Sequence, residues 1–166
     1  MAKNYLPNTF YLRQILNYDL ETGFLYWKIN KSPTATAGSI AGAKSYGYVN
    51  IGIDNISYRA HRIIWKMFYG VEPANLIDHI NRNRSDNRIC NLREANNSQN
   101  NANSKTKNKF KMKGVRVINK GCRYEAFITI KGKYKYLGVY DTPDDAHAAY
   151  IREAKKYHGE YFRNGD

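Results

Sequence analysis

The stretch "LIDHINRNRSDNRICNLREANNSQNNAN", residues 76–103, carries nine asparagines in twenty-eight positions. Asparagine competes with the backbone for its own hydrogen bonds and serves helix interiors and strands poorly. So dense a segment has three outcomes open to it: disorder, hydrogen-bonded turns, or chemical use. Local signals favour order. "NLI" ahead of Asp78 reads as a short strand ending at Asp78 and His79, whose side chains point to opposite sides unless the chain bends there. Asn96 followed by Gln99 forms a capping box, which predicts a helix starting at about Asn97. Asn100 and Asn103 then share one helical face.

A strand, a loop and a helix in that order can bring one carboxylate, one imidazole and one carboxamide to a single point. Those groups are the minimum for metal-assisted phosphodiester hydrolysis. A hard cation neutralises the phosphate, and a base of near-neutral pKa takes the proton from the attacking water. Histidine suits the second task. Carboxylate and amide oxygens suit the first, and they favour Mg²⁺ or Mn²⁺ over softer ions.

The charge balance agrees. Twenty-seven Lys and Arg against fourteen Asp and Glu give a formal charge of +13, and fifteen tyrosines accompany it. Basic surface with interleaved aromatics suits phosphates and bases, which makes double-stranded DNA the expected partner. The competing readings are a basic RNA-binding protein and a merely solvated charge. Cys90 and Cys122 stand in no CxxC and cannot build a thiolate zinc site, so a reduced compartment is expected. The sequence has no apolar run near the roughly 18 residues of a membrane span, and its start lacks the apolar core of a secretion signal. These features predict a cytoplasmic protein with no membrane association and no obligatory protein partner.

Along the chain, "YLRQILNYDLETGFLYWK" reads as a helix with Leu12, Ile15 and Leu16 on one face, then a turn and a strand. From Gly38 the pattern alternates as strands through Tyr48, Asn50 and Gly52, turns at "DN", then takes helical period with Ile63, Ile64, Met67 and Phe68 on one face. After the asparagine-rich stretch, "SKTKNKFKMK" reads as a basic linker. Beyond it, "KGVRVIN", "YEAFITI" and "KYKYLGVY" predict a three-strand antiparallel meander. A helix follows, with Thr142 as N-cap, Pro143 at its first position and Gly159 as its stop. Ala146, Ala149, Tyr150, Ala154 and Tyr157 form its inward stripe. The fold class expected is α+β, with modules at 1–103 and 112–166 joined by the linker 104–111.

"IDHINRNRSDNRICNLREANNSQNNAN" closely resembles the HNH endonucleases of the ββα-metal fold, in their phage and intron-homing branch. The similarity extends over about residues 12–103 through "LNYDLETGFLYWK" and "YRAHRIIWKMFYG". The resemblance implies a metal-dependent DNA endonuclease acting in a phage-infected or bacterial host cell. It makes Asp78 a metal ligand, His79 the general base, Asn91 the residue that orients His79, and Asn100 the helix residue that completes the metal site. Some HNH families have histidine where this chain has Asn100, which leaves Mg²⁺ or Mn²⁺ as the expected ion. Arg82, Arg84, Arg88 and Arg93 are expected to hold phosphates around the site. Asn81, Asn83, Asn96 and Asn97 are expected to build turns and caps. His61, at a helix start, is read as structural, and His147 and His158 as surface or packing residues.

Residues 112–164 resemble the AP2 DNA-binding domain in "GVR", "YLG", the "TPDDAHAAY" helix and a terminal Asn. The resemblance implies a sheet laid in the major groove and carries over Arg116 and Tyr136 as DNA contacts. Arg123, Lys133 and Lys135 join them on strand position and charge. Ile118 stands where that family has arginine, so base preference does not carry over. Together the two modules predict an enzyme that nicks one strand per site. The alternative is a non-catalytic DNA-binding regulator with a decayed nuclease module.

Overall fold

The computed structural model describes residues 5–106, 111–118 and 123–164. The chain divides into two compact units, Met1–Glu94 and Ala95–Asp166. Among the described residues it is a mixed α+β protein of small sheets and four α-helices. Among the described residues, no helix is long and apolar enough to cross a membrane.

The first unit begins with α1 (Thr9–Ile15), capped by Asn8, whose side chain accepts from the Tyr11 amide. Leu16, which helical spacing places on the same face as Leu12 and Ile15, instead opens strand β1 (Leu16–Tyr18). β1 pairs antiparallel with β2 (Leu25–Trp27). In the connecting turn, Gly23 has φ +75°, and a Cβ there would lie 2.4 Å from the backbone N of Arg88. Only glycine permits that approach. Tyr18 adds a second tie, its hydroxyl donating to Asn87 O and accepting from the Ile89 amide at 2.9 Å. The hairpin thereby braces the loop that carries Asn87.

Strands β3 (Ala43–Ser45), β4 (Tyr48–Ile53) and β5 (Ile56–Arg59) form an antiparallel meander. Its "DN" turn has Asp54 and Asn55 both at positive φ, as tight hairpins require. α2 (Ala60–Tyr69) follows directly and ends on Gly70 at φ +78°. Ile51, Ile53, Ile63, Ile64, Met67 and Leu92 share one core with Leu12, Leu25 and Trp27. Phe68, expected on that face, is 48% exposed. It lies about 100° beyond Met67 around the helix, off the edge of the buried stripe. Strands β6 (Leu76–His79) and β7 (Leu92–Ala95) pair across a long loop.

In the second unit, α3 (Asn97–Asn103) has the expected capping box between Asn96 and Gln99. Lys113 donates to the carbonyls of Asn101 and Ala102. These bonds tie the helix to residues beyond it, although the sequence groups α3 with the segment before it. β8 (Val115–Ile118), β9 (Arg123–Ile130) and β10 (Lys133–Tyr140) form the expected meander in the order β10–β9–β8. α4 (Pro143–His158) has its expected Thr142 cap. The helix buries Ala146, Ala149, Tyr150 and Ala154 against Val115, Ala126 and Ile128. Tyr157, assigned to that stripe, is 48% exposed and lies under Lys135 Nζ. Residues 107–110 of the expected linker, and the "NKG" turn with Cys122, lie outside the described residues.

Candidate active site

β6 ends as the sequence requires, with Asp78 and His79 its last two residues. Strand alternation sends the two side chains apart, yet both are buried, at 5% and 4% exposure. Each is covered by a different neighbour. On one side Arg93 of β7 donates Nε–H to Asp78 Oδ2 at 3.0 Å. On the other side, the rings of His61 and Tyr48 lie 5.1 and 6.1 Å from the His79 ring.

His79 Nε2 is 3.1 Å from Asn87 Oδ1. With an amide oxygen as acceptor, Nε2 carries the proton and Nδ1 is the basic nitrogen. Burial lowers the His79 pKa, against the opposing pull of the Asn87 bond and the Asp78 charge. The imidazole is therefore neutral at neutral pH, the state a general base needs.

The loop 80–91 answers the question its asparagines pose, because they build it. Asn91 Oδ1 accepts from the Asn81 amide at 2.9 Å, and its Nδ2 donates to Asn81 Oδ1 and to Asp86 O. Asn81 Nδ2 donates to Asp86 Oδ2, and Asn83 Oδ1 accepts from the Ser85 amide. Asn91 also accepts, through its carbonyl, from the Ile80 amide directly after His79. It thus fixes the backbone beside the imidazole, while the side chain bonded to the imidazole is that of Asn87. The sequence offered no signal for Asn87 beyond its place in "SDNR". Asp86 is held at a pKa of about 2, chiefly by hydrogen bonds from Arg88 and also by one from Asn81.

Residues 58–102 match the family model described as HNH endonuclease. No curated protein and no solved structure matches the chain. The HNH segment runs from the end of β5 into α3, so it includes His61, Asp78, His79, Asn87, Asn91 and Asn100. Its strand–loop–strand–helix order is consistent with a ββα-metal nuclease. The match supports nuclease activity on DNA.

His61, the second residue of α2, is read from the sequence as structural and is buried beside His79. Its ring meets His79 edge to face and lies 5.6 Å from Tyr48. Burial, then the charges of His79, Arg62 and Arg59, push its pKa down to about 3. The unfolded chain, at the ordinary value near 6.5, binds a proton that the folded chain refuses between about pH 6.5 and 3. Stability therefore falls as pH drops through that window. His61 alone should cost about 2 kcal/mol between pH 7 and 5. Urea unfolding at both pH values checks this, with His61→Gln expected to flatten the difference by that amount.

The expected phosphate contacts of the HNH segment fare differently from one another. Arg88 meets Asp86 at 2.6 Å with its side chain still 46% exposed, whereas Arg93, held by Asp78 at 3.0 Å, is only 13% exposed. Arg84 lies over the Tyr48 ring, and Arg82 is half-buried at positive φ. In the second unit, Arg116 bonds Glu125, which also accepts from Tyr134. Tyr136 is exposed, and Arg123 meets Asp141 at 3.1 Å. Lys135 pairs in register with Ile128, which packs against α4, and its Nζ reaches Glu153 of α4 at 2.7 Å. Lys133 follows the same alternation. Both lysines thus leave the open face to Arg116, Arg123, Phe127, Tyr134 and Tyr136.

Asn100 is on α3 with its amide in the helix ladder. Among the described residues, no group of three His, Cys, Asp or Glu could hold a metal. The donors that the resemblance assigns, the Asp78 carboxylate and the Asn100 amide oxygen, are of the hard-oxygen kind that suits a hard divalent cation.

Proposed function

We propose that this chain is a metal-dependent DNA endonuclease of the phage and homing HNH type, with His79 as general base. One observation carries the reading: within the HNH segment, a buried neutral imidazole is hydrogen-bonded to Asn87 and directly follows a buried carboxylate. His79 takes the proton of the attacking water. Asn87 and Asn91 hold the ring and the backbone next to it. Asp78, with Asn100 in the role the resemblance gives it, would hold Mg²⁺ or Mn²⁺. The ion's contribution when bound is to neutralise phosphate charge and stabilise the leaving oxygen. One such base per chain nicks one strand.

In this reading residues 1–103 cut, 104–111 link, and 112–166 bind the duplex through an AP2-like sheet, in the cytoplasm of a phage-infected or bacterial cell. Support for that sheet comes from its open aromatic and basic face. Phe127 and Tyr134 stack there at 5.5 Å with Arg116 over both rings. Such a surface suits contact with nucleic acid.

The Asp78–Arg93 pair favours a second reading, a DNA-binding regulator whose nuclease module has decayed, because a guanidinium stands at the carboxylate a cation needs. Relaxation of supercoiled plasmid separates the two. Open-circle product should accumulate with Mg²⁺ or Mn²⁺ and stop on adding a chelator. Intact plasmid under all conditions, with DNA binding retained, establishes the regulator.

A further inference from the structure

Five arginines of the first unit differ in what their guanidinium groups meet. Arg62, Arg88 and Arg93 each face a carboxylate, Glu72 at 3.4 Å, Asp86 at 2.6 Å and Asp78 at 3.0 Å. Arg59 and Arg84 form no ion pair among the described residues. They converge instead on one aromatic ring, their guanidinium carbons 4.3 and 4.9 Å from the centre of Tyr48. Three separate elements build this arrangement. Tyr48 opens β4 and Arg59 closes the neighbouring β5. Arg84 comes from the loop 80–91 and runs past the β3–β4 turn, where a Cβ on Gly47 would lie 3.9 Å from its Cδ.

Two guanidiniums at one ring, neither in an ion pair among the described residues, concentrate positive charge there. Stacking on an aromatic face holds a guanidinium plane while leaving its N–H edge able to donate. A planar fork offered this way matches the oxygens of a phosphate. The same Tyr48 ring touches His61 and lies 6.1 Å from His79.

We infer that Arg59 and Arg84, seated on Tyr48, form a two-guanidinium clamp for a single backbone phosphate of DNA beside His79. The inference rests on the nuclease reading for the identity of the polyanion. It assigns Tyr48 and Arg59 a role that neither charge nor motif spacing suggested, and it separates Arg84 from its carboxylate-bound neighbours. The clamp holds the strand against the imidazole, so it acts on binding and register, while proton transfer belongs to His79.

The test is metal-free binding of the full chain to a fluorescein-labelled DNA duplex of mixed sequence, read by anisotropy across a salt series in EDTA. Each phosphate neutralised contributes about 0.9 to the slope of log affinity against log salt. Arg59→Gln and Arg84→Gln should each lower the slope, and the double variant should lower it by about one in total, because both release the same phosphate. Tyr48→Leu, which removes the platform, should match the double variant. Melting midpoints of the variants confirm that each is folded at the assay temperature. An unchanged slope in the double variant overturns the clamp. A loss of about two, additive between the singles, also overturns it, since two phosphates are then held independently. Without metal no cleavage occurs, so the result does not depend on whether the chain proves to be a nuclease. A parent chain that cleaves DNA while the double variant keeps its full slope removes the clamp alone, and a parent that does not bind duplex DNA removes both.

Discussion

His79→Ala will lower DNA cleavage by about 10²- to 10⁴-fold, the usual contribution of a positioned general base. Duplex affinity should stay near that of the parent, because a ring only 4% exposed presents little surface to DNA. The loss should therefore fall on kcat. Asn87→Leu provides the graded companion. It keeps the approximate volume and removes the acceptor 3.1 Å from Nε2, leaving the ring without its tautomer-setting partner. A loss of roughly 10- to 100-fold is expected, as for other groups that orient a working histidine. Single-turnover cleavage with binding measured in parallel decides the matter. Parent, His79→Ala and Asn87→Leu showing the same background rate would end the enzyme reading.

Arg93→Ala has the largest expected effect on stability. The Arg93 and Asp78 side chains are 13% and 6% exposed and 3.0 Å apart. Removing the guanidinium leaves a carboxylate buried without that countercharge, which costs about 3–5 kcal/mol. Replacing both partners, as in Asp78→Asn with Arg93→Leu, leaves no buried charge and should recover most of the loss. If Asp78 also binds a divalent ion, Mg²⁺ should restore part of the stability of Arg93→Ala, since a ligand that binds only the folded state stabilises it. Urea unfolding with and without Mg²⁺ measures both effects. A cost under about 1 kcal/mol would show that solvent screens the pair as it does at a surface.

What could be read along the chain was what is settled within a few residues of itself. The Asn96–Gln99 box, the Thr142 cap, the "DN" turn and the three-strand meander depend on local hydrogen bonds and on periods of 2 and 3.6, and all appear where expected. The same rules overreached at Phe68 and Tyr157, where a helix face extends past the edge of what its neighbours cover. Periodicity marks the middle of a buried stripe, and the partner's width sets its limits.

The pairing of Asp78 with His79 at a strand end, and the turn-building use of the asparagines, belong to the sequence alone, because adjacent residues and short loops carry their own geometry. Which groups surround them was decided by the tertiary structure. Asn87 reaches the imidazole because Tyr18, more than sixty residues earlier, holds its carbonyl and the amide of Ile89. His61 and Tyr48 reach it because the β3–β5 meander and α2 fold onto one core. Arg88, Arg93 and Arg84 look alike in the chain, yet two are bound to carboxylates and one rests on an aromatic ring. Charge is a property of the residue, but whether that charge is free to meet a phosphate depends on what the fold places within a few ångströms of it.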